Sequence, residues 1–378
     1  MMTSYKGKKM IEFHSTEEDF LQLYRAGLWN QVPVTPLSPH VDWEEVLAIA
    51  GKQTTVGLLA DGVGVLRQEM PMAVKMKLIG MSVATQKAND RLNILLPKLF
   101  AFLGKENIPA LLLKGQGVAL NYMNPATRQS GDIDLLITQA DAFDKAYRLF
   151  KERFRMLEEL NPHTLEAVFS VDGVMVELHG RVLSCINRTL EKRFQPWLAN
   201  RLATHPAREV EIGGGKVLLP PVHADIVFVF VHLARHYFAG GIGLRQVSDW
   251  MRLVFKNREV VDDKQLEVDL AHLGLTHVWQ VFAAMAVAKL GYPADQMPLY
   301  HQKYEKEGLR VLRYIFDSGN FGYHDERTKS QSDNYYIRRL KAFTGHSYKI
   351  FRNFMMFPHE TLYCFPDFVK DGLARTKV

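Results

Sequence analysis

The sequence predicts an α+β protein, one small mixed sheet with helices before it and helices after it. Three observations carry this. Up to Ile108 the apolar residues recur at helical spacing and no strand signal appears. From Ile108 to Leu183 short apolar runs alternate with amphipathic ones, in the order strand, helix, strand, helix, hairpin. After Pro221 only helical patterns return. The expected division is a helical region over 1–105, an α/β domain over 106–220 and a helical domain over 221–378.

Each element has a local reason. "STEEDFLQLYRAGLW" opens with Ser-Thr and early acids, the pattern that caps a helix N-terminus. "DWEEVLAIAGKQTTVGLLADGV" and "AVKMKLIGMSVATQKANDRLNILLPKLFAFLGKE" stay helical, the second long enough for two helices or one broken one. "IPALLLKG" reads as a buried strand stopped by Lys-Gly, "QGVALNYM" as a short helix and "SGDIDLLIT" as a second strand. "QADAFDKAYRLFKERF" has the period of an amphipathic helix. In "LEAVFSVDGVMVELHGRV", Asp172-Gly173 joins two alternating runs, a hairpin signal. "INRTLEKRFQPWLANRL" is expected to be helical, and "REVEIGGGKVLLPP" a small hairpin around Gly213–Gly215. Beyond Pro221, the break Gly240-Gly241-Ile242-Gly243 separates two helices, and "DDKQLEVDLAHLGLTHVWQVFAAMAVAKLGYP" supplies two more. The aromatic-rich tail from Asn334 to Phe368 is expected to be helical with an irregular end.

Composition narrows the function classes. With 378 residues, 47% hydrophobic and 23% charged, the chain can bury a full core. The 47 Lys+Arg against 41 Asp+Glu leave a formal charge of +6, which suits an anionic ligand such as a nucleotide. The basic residues are scattered rather than blocked into an arm, so nucleic acid is not the favoured partner. Cys185 and Cys364 are the only cysteines, too few for a disulfide framework, which favours a reducing compartment. The N-terminus has no apolar stretch of signal-peptide length, and the most apolar run, Ile226 to Leu233, is too short to span a bilayer. The expectation is a cytoplasmic protein.

The chemistry centres on "RQSGDIDLLI". Asp132 and Asp134 are one residue apart on a run that otherwise reads as a buried strand, so they share a face. Two carboxylates side by side repel, and either one is costly to bury unpaired. A hard divalent cation, Mg²⁺ or Mn²⁺, would neutralise them and leave coordination sites for phosphate oxygens. A solvated strand end would explain the same triplet. Glu177, in "VMVELHG" on another expected strand, supplies the third carboxylate that a two-metal site needs. Lys114 and Gly115 end the first strand, where a glycine permits close phosphate approach and lysine adds a point charge, although no P-loop pattern is present.

These pieces, "LLLKGQGVALNYMNPATRQSGDIDLLI", "VELHGRV" and "HLARHYFAGGIGLRQVSDW", resemble the bacterial type-5 family of uncharacterised nucleotidyltransferases within the DNA-polymerase-β-like superfamily. The resemblance covers roughly Ile108 to Asp249 and implies a polymerase-β-like nucleotidyltransferase domain flanked by helices. It makes Asp132 and Asp134 the metal-binding pair and Glu177 the third carboxylate. It places Lys114 and Gly115 at the nucleotide-phosphate turn, with Gln116 standing where serine is usual. Arg128, just before the acids, is a further candidate phosphate contact or else a surface arginine, and Gly131 a further nucleotide-binding candidate. His232, His236, Arg245 and Asp249 match the C-terminal segment, either lining an acceptor cleft or stapling the helices to the sheet domain. His232 and His236 lie four apart on one helix face without the glutamate of a zinc motif, so zinc is not expected. Arg245 and Asp249, also four apart, are expected to form an ion pair. His179 is assigned the face of its strand opposite Glu177 and only a supporting role.

The reaction implied is attack of an acceptor on the α-phosphorus of an NTP, with release of pyrophosphate. The acceptor is open among sugar, lipid-linked glycan, antibiotic, protein side chain and tRNA. A D-x-D glycosyltransferase is one alternative, but it would need a nucleotide-binding βαβ stretch before the acids, where this chain is helical, and it gives Glu177 no role. A non-catalytic nucleotide-sensing or scaffold relative is the other, favoured by Gln116 and opposed by the presence of all three carboxylates. Replacing Asp134 by Asn is expected to relieve repulsion within the pair and so to leave stability unchanged or raised.

Overall fold

The computed structural model describes residues 11–33, 35–182, 186, 188–320, 351, 353–358 and 360–361. Both cysteines and most of the aromatic tail lie outside the described residues. The chain begins with four helices, α1 (Ser15–Trp29), α2 (Trp43–Lys52), α3 (Val56–Leu66) and α4 (Met72–Lys105). The mixed region follows with β1 (Leu111–Leu113), α5 (Gly115–Ala119), β2 (Asp132–Leu136), α6 (Ala140–Arg153), β3 (Arg155–Asn161), β4 (Glu166–Val171) and β5 (Val174–His179). After α7 (Arg188–Thr204) comes a separate hairpin, β6 (Arg208–Ile212) with β7 (Gly215–Leu219). Helices α8 (Val222–Ala239), α9 (Leu244–Lys256), α10 (Asp263–Leu273), α11 (Thr276–Leu290) and α12 (Glu305–Ser318) follow. The expected α+β class is the class found. Among the described residues no helix is long and apolar enough to cross a membrane.

The five-stranded sheet runs β1-β2-β5-β4-β3, with only β2 and β5 parallel. Alternation gives its two faces different neighbours. Ile133, Leu135 and Ile137 of β2 and its extension, with Val176 and Leu178 of β5, pack on the second half of α4 and on α6. The opposite face carries Leu113 and Leu136, which belong to the larger core built by the helices. Asp132, Asp134 and Glu177 share that face, so the acids look toward the helices and not into the sheet's own core.

Three elements differ from expectation or were left open. The stretch read as two helices or one broken one is a single 34-residue helix, α4, with Pro97 inside it. Proline cannot donate to the carbonyl four residues back, and the turn of the β6–β7 hairpin comes against that carbonyl. A Cβ at Gly213 would lie 1.9 Å from the Asn93 oxygen. Strand β3 was not anticipated, because its residues are almost all exposed and show no alternation. It is an edge strand that pairs only with β4. Helix α12 was also passed over, although Gly308, Val311, Leu312, Ile315 and Phe316 are buried at helical spacing.

The segment leading into β2 is held from several sides. Asn89 of α4 donates to the carbonyls of Ala126 and Arg128, both at 2.8 Å. Asp61 of α3 accepts from the Thr127 hydroxyl at 2.8 Å. Gly57 lets α3 approach this segment closely, since a Cβ there would lie 2.1 Å from the Thr127 carbonyl oxygen. Gly57→Ala is therefore expected to destabilise by about 1–3 kcal/mol through overpacking. Thermal unfolding should show a melting temperature several degrees lower, and an unchanged one would mean that α3 does not brace the segment.

Candidate active site

A cleft of about 290 Å³ lies between the acid-bearing face of the sheet and helices α8 and α9. Lys114, Gly115, Arg128, Asp132, Asp134, Glu177 and His179 line it from the sheet side, and His232, His236, Arg245 and Asp249 from the helices. Of the residues singled out in the sequence, Gly131 and Gln116 do not line it. A Cβ at Gly131 would meet nothing within 4 Å, so no close backbone approach requires glycine there. Gln116 is buried and donates to Asn93 Oδ1 at 2.6 Å, away from the cleft.

The carboxylates are set by strand register. Parallel pairing puts Asp134 opposite Glu177, with Asp132 two residues back on the same face. His179, expected on the face opposite Glu177, is on the same one. Residues two apart on a strand share a face, and its Nε2 lies 3.1 Å from Asp134 Oδ1 and 3.4 Å from Glu177 Oε2. Lys114 Nζ lies 3.0 Å from the same Asp134 oxygen. Its backbone (φ 50°, ψ −137°) and that of Gly115 (φ 44°) both have positive φ, which turns the chain sharply off β1. For a lysine that conformation costs about 1–3 kcal/mol, which the surroundings must offset. Helix α5, begun by this turn, has only five residues.

Charge in the cleft is unevenly compensated. Burial pushes the Asp134 carboxyl up, but Lys114 and His179 outweigh it and hold it well below the usual carboxylate range. Burial works against protonated His179 too, yet its bonds to Asp134 and Glu177 raise it to about 9. Asp132 is raised by burial and by Asp134, only partly relieved by Lys114, Arg245 and Arg128. On the helical side, burial lowers His232 well below its ordinary value and His236 to about 3, with Lys114 and Arg235 adding to the effect. These two neutral imidazoles touch, Nε2 to Nε2, at 3.1 Å. Among the described residues, the grouping with metal-ligand spacing is Asp134, Glu177 and His179, whose donor atoms lie within 4.8 Å of one another. The His232–His236 pair is not part of it.

The expected Arg245–Asp249 ion pair does not form. Both Asp249 oxygens are taken at 2.7 Å by Nε and Nη2 of Arg128, and Tyr122 donates to one of them at 2.7 Å. Arg245 instead donates through Nη1 to the Gln129 carbonyl at 2.8 Å. Spacing of four on a helix permitted the local pair, but a bidentate partner from another segment has better geometry. Sequence reasoning also passed over Tyr122, Glu166, Arg181 and Arg235, the last three lining the cleft. Glu166 had a readable signal, since the hairpin register pairs it with His179.

The model of the family described as "Uncharacterised nucleotidyltransferase" matches residues 39–311. The chain belongs to that family. Its match takes in the sheet, the cleft and most of the helical elements on both sides. No match is found among curated proteins. Among solved structures, an antigenic nucleotidyltransferase-like protein from Paracoccidioides brasiliensis is similar, at 17% identity over 49% of this chain and 88% of that one. Its TM-score is 0.34, too loose a likeness to support an assignment.

The site has a pH signature in the metal-free protein. His179 is raised from 6.5 to about 9, so its contribution is fully present below pH 6.5 and is lost as pH rises through 9. His232 and His236, being lowered, act in the opposite sense and below pH 6.5. The melting temperature of metal-free protein should fall across the alkaline window, and His179→Gln should flatten that fall. An equal slope in both proteins would show that His179 is not held protonated by the acids.

Proposed function

We propose that this member of the nucleotidyltransferase family transfers a nucleoside monophosphate from an NTP to an unidentified acceptor, using Mg²⁺ or Mn²⁺ and releasing pyrophosphate. The observation that carries the reading is the placement of Asp132, Asp134 and Glu177 on one face of paired parallel strands, at a cleft that Lys114, Arg128, Arg181, Arg235 and Arg245 also line.

The residues fit such a metal. Asp134, Glu177 and His179 bring donor atoms within 4.8 Å of one another, two of them from hard carboxylates, and Asp132 adds a carboxylate whose charge is poorly compensated. When bound, a divalent ion would neutralise the triphosphate and polarise the attacked phosphorus. Asp132, Asp134 and Glu177 would hold it, with His179 orienting Asp134 and Glu177. Lys114, displaced from Asp134, would place its Nζ against phosphate oxygens. Glu177 is more exposed than Asp134 and would accept the proton of an acceptor hydroxyl as its oxygen bonds to the α-phosphorus. The bond from that phosphorus to the bridging oxygen then breaks, and pyrophosphate leaves with the electron pair. Catalysis of this kind is mostly positioning and charge stabilisation.

NTP binding should require metal, because the acids repel phosphate unless neutralised. Calorimetry with ATP, CTP, GTP and UTP in Mg²⁺ and in EDTA tests this, and equal affinity in EDTA would sink the metal-bridge reading.

The carboxylates separate enzyme from relic. Repulsion within the Asp132–Asp134 pair, taken alone, would make Asp134→Asn neutral or stabilising. The geometry reverses that sign, because the charge of Asp134 answers Lys114 and His179, and removing one member of a buried ion pair is destabilising. Glu177→Gln is the cleaner probe, since Glu177 is only half-buried and its one ion-pair contact among the described residues is to His179 at 3.4 Å. It should cost a factor of about a thousand or more in pyrophosphate release while moving the melting temperature little. Release at the wild-type rate would leave Glu177 outside the chemistry.

A further inference from the structure

We propose that Arg245 of α9 is the arginine that binds the nucleotide's phosphates, and that Arg128 is the post that fixes the wall on which Arg245 stands. This rests on the nucleotidyltransferase reading above and names a residue on the helical side of that same site.

The two arginines differ in what they have left to give. Arg128 is 5% exposed and uses Nε and Nη2 on Asp249 and Nη1 on Ser130 Oγ at 2.6 Å. A phosphate reaching it would have to break a bidentate buried pair. Arg245 lines the same cleft with one hydrogen bond, from Nη1 to the Gln129 carbonyl. Its Nε is buried without a partner, and no bond of Nη2 is seen among the described residues. Burying polar groups with no partner is costly, so an unsatisfied guanidinium edge at a cleft is a place where an anion is favoured.

The surroundings aim it. Gln129 stands three residues before Asp132, so the one bond of Arg245 ties the guanidinium to the chain that carries the metal-binding acids. The backbone donors at the start of α9 are not available for the same task. The Gly243 N–H goes to Gln246, and those of Leu244 and Arg245 go to Gln53. The Arg245 side chain is thus the donor that this end of α9 turns toward the cleft. Arg128 and Asp249 lie close enough to act on it electrostatically, and Asp132 is the acid on the opposite wall.

Calorimetry with ATP and with pyrophosphate, in Mg²⁺, tests the assignment on the full chain. Arg245→Gln should weaken both by about tenfold or more, the loss of a charge-assisted bidentate contact, with little change in melting temperature. Arg245→Lys should recover part of the affinity at most, because lysine lacks the planar fork. Arg128→Gln should instead lower the melting temperature markedly. Wild-type affinity in folded Arg245→Gln protein would overturn the inference and leave the nucleotidyltransferase reading standing. Absence of binding by the wild type to any NTP would overturn both.

Discussion

The pairing of Arg128 with Asp249 joins two parts of the chain that are 121 residues apart. One is the segment running into β2, the other the middle of α9. Both groups are buried, and Tyr122 completes the carboxylate's hydrogen bonding. Such a pair contributes little net stability when intact, but its geometry is strongly enforced, because either charge left alone in the interior would cost several kcal/mol. The cleft depends on that enforcement. Its sheet wall is fixed by β-pairing and its helical wall by core packing, and the distance between the walls is set where the guanidinium meets the carboxylate. Asn89, Asp61 and the close approach at Gly57 brace the same segment from behind, so the position of β2 is determined from both sides.

A second compensation operates inside the cleft. Asp134 is almost fully buried and would not remain ionised alone. Lys114 and His179 supply the positive charge, Lys114 from a strained backbone turn that puts its ammonium within 3.0 Å. On the proposed function, the same pair of cations keeps the place of a divalent ion. They hold the carboxylate charged and oriented, and each can be displaced, the lysine by rotation and the histidine by losing a proton. Asp132 is not paired in this way, so the acids present an asymmetric face with one compensated carboxylate and one still in want of a cation.

Local periodicity made part of this legible in the sequence. The spacing of Asp132 and Asp134 fixes a common face whatever the partner strand, and Asp172-Gly173 fixes the hairpin that carries Glu177 on β5, while the parallel pairing of β5 with β2 sets it opposite Asp134. The error over His179 came from misapplying the same rule, since two residues of separation return a side chain to the face it left. The partner of Asp249 was not readable. A helix offers Arg245 at a spacing that invites an ion pair, and nothing local shows that a better-placed guanidinium arrives from Arg128. Strand β3 was hidden for a different reason, as an edge strand exposed along most of its length needs no apolar alternation. The apolar residues of α12 do recur at helical spacing, so that helix is legible in the sequence.

The reach of the site along the chain bears on what a functional unit of this protein must contain. The acids come from β2 and β5, and the lysine follows β1, so the sheet supplies the charged groups of one wall of the cleft. The sheet alone would leave Arg128 without Asp249 and the cleft without its second wall. Helices α8 and α9 are held in turn by aromatic packing of Phe230 and Trp250 on Trp279 of α11. A charge contact in the cleft is therefore only as well placed as a tryptophan cluster deep in the helical core. The family match over 39–311 includes that cluster. By this reasoning the helices are not an appendage to the sheet, since they form the second wall of its cleft.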